Sequence, residues 1–145
     1  MPFERLISKG KIKPYPSRPI EIKHLIEVAE RDLTAANHNL QDNPDWAYSM
    51  AYNAVLQTSR ALMLSKGYRP RGAEQHATVV SFVREMLGNS FTDQIDLFDQ
   101  MRRKRHRILY EIAGSVSTSE AEQALSFAIE FVKTIKNILF SLPGM

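Results

Sequence analysis

From Trp46 to Ser65 a single side chain, Arg60, carries a formal charge. Small residues (Ala47, Ala51, Ala54, Ser59, Ala61) are interleaved there with Tyr48, Tyr52, Val55, Leu62 and Leu64. Asn43 stands where a helix cap belongs, Pro44 suits a first turn, and Asp45 lies near the positive end of the dipole. Gly67 supplies a stop. A helix with so little charge must be covered on most sides. The rest of the chain therefore has to surround this segment.

The flanking segments have the periodicity to do so. A helix starting near Pro19 repeats Ile22, Leu25, Ile26, Ala29, Leu33, Ala36 and Leu40 at helical spacing and ends around Asn43. A third helix, about Ala73 to Leu87, carries Val79, Val80, Phe82, Val83 and Met86 and stops at Gly88. A fourth runs from about Ser90 to Ala113, before Gly114. A fifth is signalled by Ser117 with Glu120, or Ser119 with Glu122, both at capping-box spacing. It shows Ala121, Leu125, Ala128, Val132, Ile135 and Leu139 on one face until Pro143. Short connections favour antiparallel neighbours. The expected fold is all-α, an up-and-down antiparallel bundle of about five helices over residues 20–142, with no strand. Residues 1–19, with Gly10, Pro14, Pro16 and Pro19, lack apolar periodicity and read as an extended, mobile basic arm.

At 145 residues without cysteine, the chain suits one domain and has neither disulfides nor thiolate chemistry. No stretch approaches the roughly eighteen apolar residues of a membrane span, and no secretory signal is evident. A soluble cytoplasmic protein without membrane contact is expected. The net charge of +3 is unevenly spread. Residues 1–19 hold five cations (Arg5, Lys9, Lys11, Lys13, Arg18) against Glu4, a net +4, so the remaining residues sum to −1. Within them, Arg102, Arg103, Lys104, Arg105 and Arg107 concentrate +5 on one helix. Such a patch attracts phosphate.

Two of those arginines are out of place. At about 100° per residue, Phe91, Ile95, Phe98, Met101, Leu109 and Ile112 share a face of the fourth helix with Arg102 and Arg105. Arginine is seldom fully buried unless paired. This face must meet a carboxylate, a wet cleft, a ligand phosphate or a second subunit.

The run from Asp45 to Gly72 (DWAYSMAYNAVLQTSRALMLSKGYRPRG) together with RHRILY, Arg105 to Tyr110, resembles HEPN domains, the higher-eukaryote and prokaryote nucleotide-binding superfamily. The resemblance spans roughly Ile20 to Leu139. Many HEPN ribonucleases carry Arg, a polar residue, and His after four to six intervening residues on a late helix. Here His106 fills the polar slot and Tyr110 replaces the histidine, as in a poorly characterised prokaryotic branch. The resemblance implies a homodimer whose motif helices line a cleft, RNA or nucleotide binding, and metal-independent RNA cleavage in active members. It also implies frequent pairing with a small nucleotidyltransferase antitoxin in toxin–antitoxin modules.

Arg102 and Arg105 are then the expected phosphate-binding residues, His106 the candidate for proton transfer and Tyr110 a hydroxyl donor or stacking surface. A phenol titrating near about 10 is a poor base beside imidazole near about 6.5, so ribonuclease activity is expected to be weak or lost. His106, one turn after Arg102, offers partial compensation. A literal Arg-x4-His match, Arg71 to His76, stands on the wrong element for the family. Competing readings remain in view. One is a non-catalytic module that docks a nucleotidyltransferase; in others the arginines pair with Glu27, Glu30 or Glu130, or hold the dimer together. No His-x-x-x-His or Glu-x-x-His pair suggests a metal site, and no glycine-rich phosphate loop or other cofactor motif occurs.

Overall fold

The computed structural model describes residues 3–110 and 114–141. Its centre is α3 (Pro44–Ser65), whose buried residues, from Ala47 through Tyr52, Val55 and Thr58 to Met63, occupy almost every side of the helix. The alanines let neighbouring helices approach closely. Helix α2 (Pro19–Asn39) folds back along α3 after the short connection 40–43, α6 (Thr118–Phe140) packs along another side, and α4 (Gln75–Leu87) and α5 (Thr92–Tyr110) close the remainder. A 3-10 turn, Asn89–Phe91, joins α4 to α5. The expected helical bundle is what forms, with the low-charge helix at its core.

Local chemistry sets the helix ends. Arg18 N–H donates to Glu21 Oε2 at 2.6 Å, fixing the start of α2 with Pro19 in the first turn. Of the two candidate capping boxes before α6, Ser117 with Glu120 is used: Glu120 N–H donates to Ser117 Oγ at 3.0 Å and Ser117 N–H to Glu120 Oε1 at 3.3 Å. Asn43 differs from expectation, for its side chain makes no cap bond to α3 and donates to Asn39 Oδ1 instead. Asp45 does more than face a dipole. Its carboxylate accepts from Gly114 N–H at 2.5 Å and Val116 N–H at 3.2 Å, tying the approach to α6 onto the start of α3. Residues 111–113 and the Pro143 stop lie outside the described residues.

From Phe3 onward the N-terminal segment departs from the extended arm the sequence suggests, and a short strand stands where none is expected. Helix α1 (Glu4–Ser8) is followed by β1 (Ile12–Pro14), which pairs antiparallel with β2 (Tyr68–Pro70) in the register Lys13 to Arg69. Phe3, Leu6 and Ile12 are buried, and the Phe3 ring stacks on Phe82 at 4.3 Å. Three apolar residues at irregular spacing produce no periodic signal, yet each finds the core. A two-stranded ribbon has little stability of its own, so this burial is what holds it. Among the described residues no helix is long and apolar enough to cross a membrane.

Candidate functional site

Helix α5 carries five cations within six residues, and the fold gives them different surroundings. Arg102 Nε bonds Asp99 Oδ1 at 2.9 Å, and Arg103 reaches Asp99 Oδ2 at 2.8 Å. Lys104 pairs with Glu120, the residue that also closes the α6 capping box. Arg107 is exposed. With Tyr48, Arg103, Lys104 and Glu120 it lines a hollow of about 500 Å³ between α5 and α6. Burial, with the nearby Glu120 carboxylate, pushes the Tyr48 phenol up to about 12.

Arg105 points the other way. Its guanidinium Cζ lies 5.5 Å from the centroid of the Tyr52 ring, a cation–π arrangement. The side chain is half-buried, its Nε is shielded from solvent, and no acceptor stands opposite it. Among the described residues, Arg105 has no hydrogen-bond or ion-pair partner. Of the acids that sequence reading offers, Glu30 is taken by Lys136 at 2.9 Å, and among the described residues neither Glu27 nor Glu130 forms an ion pair with Arg105; Asp99, on α5 itself, is held by Arg102 and Arg103. A partly desolvated cation without a carboxylate is costly.

The floor under Arg105 was not foreseen. Tyr52 on α3 is fully buried, its ring packed against Phe98 of α5 at 5.9 Å. Its hydroxyl lies 3.0 Å from Nδ1 of His76, in the first turn of α4. Burial raises the Tyr52 phenol well above its ordinary value, so it keeps its proton. Among the described residues His76 Nδ1 is the hydrogen-bond partner of that hydroxyl, so we assign the phenol as donor and Nδ1 as acceptor. Burial first, then the charges of Arg105, Arg60 and Arg102, hold the His76 imidazole below its usual range. In that assignment the neutral imidazole carries its own proton on Nε2. Glu74, which precedes α4 in the left-handed region at φ 56°, sets the entry angle of that first turn.

His106 and Tyr110 sit together on the exposed side of α5, their ring centroids 4.9 Å apart. Among the described residues no hydrogen bond or ring contact joins either of them to Tyr52, His76 or Arg105. The four residues singled out on α5 therefore divide: Arg105 faces inward over Tyr52, Arg102 turns back to Asp99, and the His106–Tyr110 pair faces outward. Sequence reading touches His76 only through the Arg71 to His76 spacing, on the wrong element for the family, and gives no sign of its contact with Tyr52. Arg71 itself is exposed, its backbone N–H bonded to Lys11. The available signal was Tyr52: a tyrosine buried in a nearly uncharged helix needs a partner for its hydroxyl.

Comparison with known proteins places this geometry in context. A family model described as HEPN domain matches residues 22–138. Over 127 residues the chain is 29% identical to a Methanocaldococcus jannaschii protein named "Putative toxin MJ0605", covering 82% of this chain and 89% of that protein.

Proposed function

The chain belongs to the HEPN domain family, and on that premise we propose that it is a homodimeric, toxin-type RNA- or nucleotide-binding protein with weak or lost ribonuclease activity. One observation carries this reading: Arg105 is half-buried over Tyr52 with no anionic partner among the described residues. A guanidinium in that state is prepared for a phosphate, to which it makes charge-assisted hydrogen bonds. Arg102, engaged by Asp99, adds positive potential rather than a free fork. The toxin assignment is supported by the name of the archaeal relative, and a nucleotidyltransferase antitoxin is the partner that such a module would take.

Reduced cleavage follows from Tyr110. A phenol is a weak base at neutral pH, and the exposed ring offers its hydroxyl as a hydrogen-bonding group only. His106, packed on Tyr110, is the group on this helix able to move a proton. RNA binding and cleavage by wild type, Arg105→Ala, His106→Ala and Tyr110→His test the proposal together. Wild type should bind RNA and cleave it feebly, Arg105→Ala should lose binding, and Tyr110→His should gain cleavage. Absence of RNA and nucleotide binding by the wild type would refute the function, and unchanged cleavage by His106→Ala would remove His106 from it.

A further inference from the structure

The Tyr52 ring under Arg105 meets a second polar side chain that the HEPN motif does not supply. His76 belongs to α4 and Arg105 to α5, yet both lie against one ring of α3: the guanidinium at 5.5 Å and the imidazole at 5.9 Å from the Tyr52 centroid. His76 is half-buried, so part of the imidazole reaches solvent. Its Nδ1 is held by the Tyr52 hydroxyl. With the phenol as donor, that bond sets the tautomer and leaves Nε2–H as a donor. We propose that His76 and Arg105, both in contact with the Tyr52 ring, bind one phosphate group between them, with Tyr52 as the positioning residue that keeps Nε2–H available.

The proposal rests on the phosphate-binding reading of Arg105 and names the residue that completes it. Charge supports the pairing. The described groups acting on His76 are the Tyr52 phenol and Arg60 from α3 and Arg102 and Arg105 from α5, and the three charged ones are all cations. These cations disfavour the imidazolium. A phosphate would neutralise them and supply an acceptor, so His76 gains affinity for a proton as the anion binds. The ligand is a phosphate, from either an RNA backbone or the terminal group of a free nucleotide.

The full-length protein can be tested with two probes, a short oligouridylate with hydroxyl ends and adenosine 5′-monophosphate. Replacing His76 by Phe keeps a ring against Tyr52 and removes the donor, so affinity should fall about tenfold, the share of one hydrogen bond to a charged group. His38→Phe, at an exposed position of α2, should leave affinity unchanged. Should His76→Phe fail to fold with the phenol orphaned, the Tyr52→Phe/His76→Phe pair removes both polar partners at little cost and should show the same loss. Imidazole ¹⁵N shifts give an independent readout: His76 should titrate at higher pH with ligand bound, and Tyr52→Phe should abolish its single tautomer.

Dependence on His76 with oligouridylate alone assigns the site to the RNA backbone, and with the monophosphate alone to a terminal phosphate. Both outcomes support the proposal. If Arg105→Ala weakens binding while the His76 variants match wild type, this inference fails and the reading of Arg105 stands. If wild type binds neither probe, both fail.

Discussion

Lys104 and Arg105 are consecutive residues in one basic run, and about 100° of helical turn separates their fates. Lys104 reaches Glu120, which is itself bonded to the backbone at Ser117, so its charge locks α5 to the start of α6. Arg105 rests on the face of Tyr52 with its Nε buried and unanswered. The first cation is part of the scaffold. The second is a local excess of positive charge that the described fold leaves uncompensated, and a site of that kind gives up stability for binding. A run of like charges alone therefore does not reveal which member is available; the acids within reach decide it, Asp99 on α5 itself and Glu120 on α6.

The contrast can be attacked at several strengths. Removing the shared support has the largest effect. Phe98 packs between Tyr52 at 5.9 Å and Phe131 at 6.0 Å, so Phe98→Ala should cost about 3–5 kcal/mol in urea unfolding and blunt RNA binding through Tyr52. Next, Arg105→Met should weaken RNA binding by about 1.5–3 kcal/mol while leaving unfolding stability equal or up to about 1 kcal/mol higher, since an uncompensated cation is removed. Fluorescence anisotropy and urea titration together read both signs. A clear loss of stability in that variant would mean that Arg105 is structural.

Lys104→Met should do the reverse. It should lower stability by no more than about 1 kcal/mol, the range of a solvent-screened pair, and weaken RNA binding less than Arg105→Met does. The smallest effect is a pH dependence. Because His76 titrates below the unfolded imidazole, the unfolded state takes up the proton first. Its contribution to stability is therefore complete above about pH 6.5 and declines as pH falls below that towards the folded value. Thermal midpoints measured across this interval should drop more steeply for wild type than for His76→Phe.

Much of the scaffold was legible because burial leaves a compositional trace. The uncharged stretch of α3 announced a central helix, and Ser117 with Glu120 announced the start of α6. The N-terminal segment left no such trace, since Phe3, Leu6 and Ile12 are buried one at a time and β1 is only three residues long. For the candidate site, the anomaly of Arg105 was readable from its position on an apolar face. The identity of its neighbours was not. Tyr52 and His76 are 24 positions apart, on helices whose relative rotation periodicity does not specify. The pairing of Lys104 with Glu120 was hidden for the same reason.

The Arg105 guanidinium can be followed through its own Nε–H resonance, assigned by its disappearance in Arg105→Lys, while oligouridylate is added to ¹⁵N-labelled protein. A cation awaiting phosphate should show that signal moving downfield and its exchange with water slowing as the complex forms. If RNA binds and the Arg105 resonance neither shifts nor gains protection, the phosphate is held elsewhere and Arg105 is not its receptor.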